Sequence, residues 1–349
     1  MKLENIIEKL PKVDLHVHLD GSVKPETVFD LALDQGITLP TNNIKELSGY
    51  LKIEGDCDSL IEYLQKFDFV SQVLHTKEAL ERVAYEVVEQ AYEENCKYIE
   101  VRFGPQLHTN KGLSLEEVIY SVIKGLKRGE KRYGVQANVI ACCLRHHSTE
   151  ENKEVIRAAS AFHGKGLVGV DLAGDEATYP AHLFREVFEL AKQKAIPVTI
   201  HAGEAAGPEN IREAITNLGA SRIGHGVRLK DDPELLNYVL ENCIPLEMCP
   251  ISNIQTKASA SWDRYPIRYY FDRGLMITVN TDNMTVSNTC LTKELLILVE
   301  KFDFTLMEIG QVIMNSIDAS FLDARAKKKL KNKFLAEYKR LEMTSQQVI

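Results

Sequence analysis

The sequence predicts an α/β fold, a (β/α)8 TIM barrel with extra helices between its first and second strands and at its C-terminus. Three observations predict it. Eight short apolar runs recur along the 349 residues. Most of them are separated by longer segments with apolar residues at i, i+3, i+4 spacing, the period of a half-buried helix. Histidines and carboxylates gather at the C-terminal ends of the runs, where barrel enzymes keep their chemistry. Strands alternating with helices imply a parallel sheet, and eight such units imply a closed barrel. An open doubly wound sheet is the alternative; it leads one to expect a Gly-rich phosphate turn, and no G-x-G-x-x-G occurs.

The first run, KVDLHVHL (12–19), alternates Val13, Leu15, Val17 and Leu19 with Asp14, His16 and His18. That period of two puts both histidines on one face of a strand. Two imidazoles so placed can grip one cation, or can simply belong to the polar face of a half-buried strand. The remaining runs are KYIEVRFG (97–104), VQANVIACCL (135–144), GLVGVDLAG (166–174), IPVTIHAG (196–203), SRIGHG (221–226), IPLEMCP (244–250) and LMITVNTD (275–282). Helical segments between them include SLEEVIYSVIKGLKRGEKRYG, PAHLFREVFELAKQKA and DPELLNYVLENC.

Two stretches exceed a bare barrel. About residues 22–95 separate the first two strands, and within them SLIEYLQKFDFVSQVL (59–74) is strongly apolar on one face. We read this insertion as a helical lid over the barrel mouth. From about 305 to 349 the chain reads as C-terminal helices, and the run ARAKKKLKNKF reads as a solvated helix face. No linker or low-complexity tract divides the chain, so residues 1–349 read as one domain.

Composition narrows the partners. The chain is 44% hydrophobic and 26% charged, ordinary for a globular protein, and its net charge of -8 argues against a nucleic-acid partner. MKLENIIEKL lacks the apolar core of a signal peptide, and no apolar stretch approaches the ~18 residues that span a bilayer. No membrane partner is expected. The seven cysteines (57, 96, 142, 143, 243, 249 and 290) make no C-x-x-C pair and read as reduced, buried thiols of a cytoplasmic protein.

The strand ends offer, in order, His16, His18, Asp20, Arg102, Asp171, Gly174, His201, Glu204, His225, Asp282 and Asn283. His75, His108 and His163 read as surface or loop residues, while His146 and His147 are ambiguous. Three imidazoles and a carboxylate, from His16, His18, His201 and Asp282, suit Zn(II) with a position left for water. A cation there lowers the pKa of bound water from roughly 15.7 to about 7, which supplies hydroxide at neutral pH. Glu204, three residues after His201, can shuttle a proton if burial raises its pKa. His225 can be a further ligand or a group that orients the hydroxide. No lysine ends the fourth strand to carry a bridging carbamate, so one metal per chain is expected. Neither H-E-x-x-H nor the H-x-E with P-C-x-x-C of cytidine-type deaminases is present.

Read together, KVDLHVHLDGSVKPET, YIEVRFGPQLH, GVDLAGDE, HAGE, RIGHG, LEMCPISN and VNTDN resemble the adenosine/AMP deaminase family. They occur in the family's order over residues 12–283. The resemblance implies a barrel with one zinc, held by His16, His18, His201 and Asp282. It also implies hydrolytic deamination of adenosine, and of 2′-deoxyadenosine, with Asp282 and His225 at the attacking hydroxide and Glu204 protonating purine N1. Gly174 matches the residue whose N–H meets N3, and Asp20 the one that holds the ribose 5′-hydroxyl. Tyr63 and Phe67 match an apolar wall, and His18 also borders the substrate. Asn283 stands where animal members carry a second Asp facing N7; its amide can donate to that lone pair without first being protonated. The implied partner is a small purine nucleoside.

Competing readings stay within reach. Adenine deaminases tend to carry Glu at the position of Asp20, and AMP deaminases are longer and need a phosphate site. Deaminases of modified adenosines such as 6-aminofutalosine fit nearly as well. A non-catalytic purine-binding protein is expected to have lost Glu204 or a metal ligand, and this chain keeps them.

Overall fold

The structure, a computed structural model, describes residues 3–53, 55 and 63–346. Each apolar run becomes a parallel strand, trimmed at its ends. These are β1 Lys12–His18, β2 Cys96–Phe103, β3 Gln136–Leu144, β4 Leu167–Ala173, β5 Thr199–Ala202, β6 Arg222–His225, β7 Leu246–Met248 and β8 Ile277–Val279. The strands pair in chain order as two four-stranded sheets, β1-β2-β3-β4 and β5-β6-β7-β8.

The expected continuous barrel ladder is not formed. The two sheets touch at single parallel bridges, Val170 with Val198 and Val17 with Asp282. At the β1–β8 seam, β8 holds only three residues and ends before Asp282. Specific hydrogen bonds hold the β1–β8 seam instead. Asp282 N–H donates to His16 O at 2.8 Å, Leu15 N–H to Asn280 Oδ1 at 3.0 Å and Thr281 Oγ1 to Asp14 Oδ2 at 2.6 Å.

The helices begin where their capping residues stand. Ser114 with Glu117, Ser148 with Glu151 and Thr305 with Glu308 form complete capping boxes ahead of helices Leu115–Tyr133, Thr149–Phe162 and Leu306–Ala319. Apolar faces of these helices and the outward faces of the strands merge into one core that includes Val101, Val139, Leu172 and Ile200, while Cys142, Leu144 and Ala173 form a small cluster of their own. The segment expected as one helix from Pro180 is broken into a 3-10 turn, Ala181–Phe184, and the helix Arg185–Gln193.

Between β1 and β2 lie helices Pro25–Gln35, Ile44–Leu51 and Asp68–Val73 before Lys77–Glu93 returns the chain to β2. Residues 59–62 of the segment read as a lid lie outside the described residues. From Tyr63 onward it is helical; Tyr63 is buried and packs with Ile53, Val286 and Phe67 in a small apolar cluster of its own. At the C-terminus, Leu306–Ala319 packs on β8 and is followed by Ala324–Gln346.

Two expectations fail. His108, read as surface, is fully buried, because the 3-10 turn Pro105–His108 folds it back against Phe103. Cys243 is exposed and Cys290 half-buried, both outside the strands; Cys96, Cys142, Cys143 and Cys249 are buried thiols, and Cys57 lies outside the described residues. Among the described residues no helix is long and apolar enough to cross a membrane.

Candidate active site

The alternation of β1 sends His16 and His18 to one side, and both meet His201 from the end of β5. His16 Nδ1 lies 2.8 Å from Glu247 Oε2, and His201 Nδ1 lies 2.9 Å from Asp171 Oδ2. Both carboxylates are ionised. Burial alone raises them, but Arg102 and Arg222 overcome it at Glu247, and His201 and Arg102 overcome it at Asp171, so each sits well below the usual carboxylate range. An ionised carboxylate only accepts, so each Nδ1 carries its proton and each Nε2 presents a lone pair.

Those lone pairs confront each other. His16 Nε2 is 3.1 Å from His201 Nε2, and His18 Nε2 is 3.2 Å from the same atom. Asp282 Oδ1 is 3.4 Å from both His16 Nε2 and His18 Nε2, and the four ligand atoms all fall within 4.8 Å of one another. A tetrahedral cation with bonds of about 2.0–2.1 Å holds its ligand atoms roughly 3.3 Å apart. The spacing fits one such ion, and a cation between them would satisfy lone pairs that otherwise have to share a proton. The remaining oxygen of Asp282 accepts from Ser252 Oγ at 2.6 Å.

Beneath the cluster, Arg102 binds both carboxylates at once. Its Nη1 donates to Asp171 at 2.9 Å, and its Nη2 donates to Glu247 and to Leu15 O, each at 2.7 Å. Arg222 closes the other side of Glu247 through Nε at 2.6 Å. All four side chains are buried, so the network fixes the tautomer and tilt of two imidazoles through one guanidinium. Arg102 and Asp171, expected at the strand ends, therefore orient the ligands rather than face the cavity.

Glu204 follows β5 on a loop made by a sharp turn. Gly203 has φ of 70°, and a Cβ there would come within 2.4 Å of Ile211, so only glycine fits. Glu176 then clamps the loop: its carboxylate accepts from the N–H groups of Gly203, Glu204, Ala205 and Ala206 at 2.7–3.1 Å. Burial, with the charges of Asp282 and Glu176, pushes the Glu204 carboxyl up to about 8. Its Oε1 accepts from Thr256 at 3.1 Å, and its Oε2 lies 3.5 Å from His225 Nε2. His225 and Asp282 both have left-handed backbones, φ of 64° and 59°, a strain tolerated where two strands end at the site.

A cavity of about 310 Å³ opens in front of the cluster. Its lining includes His18, His201, Glu204, His225, Asp282, Asp20, Gly174, Asn283, Tyr63 and Phe67, which is every expected site residue except His16, buried behind. Leu64, Leu107, Leu144 and Ala173 add apolar wall, and among the described residues no Lys or Arg belongs to the lining. Gly174, φ 104°, turns the end of β4 into that wall. Burial raises Asp20 to about 6. His146 is exposed but reaches the lining, whereas His147 pairs with Glu151 at 3.5 Å outside it. His225 also lies close to Cys249 and Asp282, but burial raises the Cys249 thiol well above its ordinary range, which makes it a poor metal ligand.

Sequence reasoning missed Glu247, Arg222, Glu176, Ser252 and Thr256. For the first two a signal was present, since a charge inside a short apolar strand is seldom left unpaired. For the others the loop of Glu176 and the short helix Pro250–Gln255, which carries Ser252 and ends at Thr256, offer no periodicity to read.

Comparison with known proteins adds the following. A family profile described as adenosine deaminase matches residues 11–337. A protein of Clostridium botulinum (strain Okra / Type B1) named adenosine deaminase is 46% identical over 326 residues, covering 93% of this chain and 97% of its own. Among solved structures, an adenine deaminase from Arthrobacter aurescens is 28% identical with a TM-score of 0.88, covering 95% of this chain and 99% of its own. An arabidopsis N6-mAMP deaminase is 26% identical with a TM-score of 0.84, and covers 95% and 99% likewise.

Proposed function

The chain belongs to the adenosine deaminase family, and from that premise we propose that it hydrolyses adenosine and 2′-deoxyadenosine at C6, releasing ammonia and the inosine product. The observation that carries this reading is a buried carboxyl, Glu204, whose pKa burial raises, beside a possible four-ligand metal cluster at the floor of one cavity.

The donor set of three imidazole nitrogens and one carboxylate oxygen fits a single Zn(II). When bound, the metal supplies the Lewis acidity that makes water a nucleophile near neutral pH. The side chains supply the rest. Glu204 delivers its proton to purine N1 as hydroxide adds at C6, so negative charge does not build on the ring. The carboxylate left behind takes the proton of the new C6 hydroxyl and passes it to the amino group, which leaves as ammonia as the C6 carbonyl forms. The N–H of Gly174 and the amide of Asn283 orient N3 and N7, while Asp20 receives the 5′-hydroxyl. Tyr63, Leu64 and Phe67 cover the base, which supports reading the segment around 59–74 as a lid that excludes bulk water.

The lining also favours a nucleoside over a nucleotide. Among the described residues, a phosphate dianion brought into this cavity meets Asp20, Asp68, Glu204 and Asp282 and no Lys or Arg. Asp20, shorter than Glu, leaves room for a ribose and so favours adenosine over free adenine. Ammonia release by zinc-loaded protein from adenosine, 2′-deoxyadenosine, adenine and AMP tests the proposal. Turnover of the two nucleosides well above adenine and AMP is expected; a preference for adenine or AMP overturns the substrate assignment.

A further inference from the structure

Asn253 sits in the short helix Pro250–Gln255 after β7, wholly buried and outside the cavity lining. Its amide orientation follows from the hydrogen bonds around it. The backbone N–H of Cys249 points at Oδ1 from 3.4 Å, and the Tyr265 hydroxyl lies 2.9 Å from the same atom. A backbone N–H only donates, so the atom facing Cys249 is the carbonyl oxygen. The NH2 therefore faces the other way, where its nitrogen is 2.9 Å from His225 Nδ1. An amide NH2 also only donates. His225 Nδ1 must accept, and so bears a lone pair. The ring proton is left on Nε2, the nitrogen 3.5 Å from Glu204 Oε2 and on the side of the cavity.

We propose that Asn253, held by Tyr265, is a positioning residue that fixes His225 in its Nε2–H tautomer, so that His225 meets the attacking water as a hydrogen-bond donor and not as a base. The tautomer rests on these hydrogen bonds alone; its role in attack rests on the deaminase reading above. The arrangement is the reverse of that at His16 and His201, where carboxylates hold the proton on Nδ1 and free Nε2 for a cation. One amide in place of a carboxylate thus separates a histidine that donates from histidines that ligate.

The test is long-range 1H–15N spectroscopy of zinc-loaded protein labelled with 15N-histidine, with His225 assigned by difference against His225→Gln. In the wild-type protein Nδ1 is expected at the shift of an unprotonated ring nitrogen and Nε2 at that of a protonated one. Asn253→Asp replaces the donor with an acceptor, so the two shifts should exchange at unchanged zinc content. With the wrong tautomer, kcat for adenosine should fall by about tenfold or more while KM stays within about threefold. A wild-type spectrum with Nδ1 protonated overturns the inference, and it decides the matter alone if Asn253→Asp does not fold. Exchanged shifts with unchanged kcat overturn the positioning role. An Nε2–H spectrum in a protein that deaminates no purine contradicts the deaminase reading instead, and leaves the tautomer standing.

Discussion

Replacing Glu204 with Gln removes one transferable proton and almost nothing else. The carboxyl is 6% exposed and its pKa is raised to about 8, with burial the largest cause and the charges of Asp282 and Glu176 adding to it. At pH 7 a group with that pKa is about 90% protonated, whereas at its ordinary value of 4.5 the fraction is about 0.3%. In the metal-free site this raises the protonated fraction by roughly 300-fold, and a cation held by Asp282 removes part of that gain. Glu204→Gln keeps shape and a donor toward N1 but cannot release a proton, so kcat should drop by the ~10²–10⁴ of general acid catalysis, or about 3–5.5 kcal/mol of barrier. Metal content should be unchanged, and a ground-state purine analogue should bind within about tenfold of wild type. The stability effect has the opposite sign. A carboxyl whose folded pKa is raised contributes stability that is complete below its unfolded pKa and is lost as pH rises from about 4.5 to about 8. Metal-free Glu204→Gln escapes that loss, and at pH 7 should be more stable than metal-free wild type by up to about 3 kcal/mol. Steady-state kinetics with adenosine, metal analysis and thermal unfolding read all three quantities. Near-normal kcat at full metal occupancy refutes the role given to Glu204.

Four further outcomes follow from the same geometry. His16→Ala and Asp282→Ala should each abolish activity and reduce bound metal from about one ion per chain; two ions per active wild-type chain contradict the mononuclear cluster. Arg102→Leu leaves the Asp171 and Glu247 carboxylates buried without their shared cation, and chemical denaturation should read a loss of about 3–5 kcal/mol. Glu176→Ala strips four backbone N–H groups of their acceptor, so unfolding free energy should fall by about 3 kcal/mol or more and kcat should fall with it; a silent variant removes the loop clamp from the account. Amide exchange of residues 63–74 should slow when a purine nucleoside is added, and equal rates with and without ligand leave the segment as ordinary packing.

The strands were legible because each is an apolar run bounded by polar residues, and β1 even displays its two faces in the alternation of KVDLHVH. The short second half was harder. The β1–β8 seam depends on hydrogen bonds that involve Asn280, Thr281 and Asp14, side chains that no periodicity announces. Site residues at strand ends could be read by type and order. What could not be read is what holds them: Glu247 and Arg102 come from opposite sides of the barrel, and their meeting depends on three-dimensional register. His108 shows the same limit from the other side, since a turn of four residues buried a histidine that looked like loop. Nor does spacing reveal that Glu176 grips four successive amides; that follows only once Gly203 turns the chain.

The account stands on water adding at C6 of a purine nucleoside in a cavity whose described lining holds four carboxyl groups and no Lys or Arg. The most direct measurement compares kcat/KM for ammonia release from adenosine and from AMP, using protein loaded with one zinc per chain and identifying the product by its absorption spectrum. Adenosine should give the inosine spectrum and stoichiometric ammonia. AMP should be slower by at least about a hundredfold, because its phosphate is desolvated without a cation to receive it. No ammonia from adenosine by the zinc-loaded protein, or AMP turned over as well as adenosine, contradicts it.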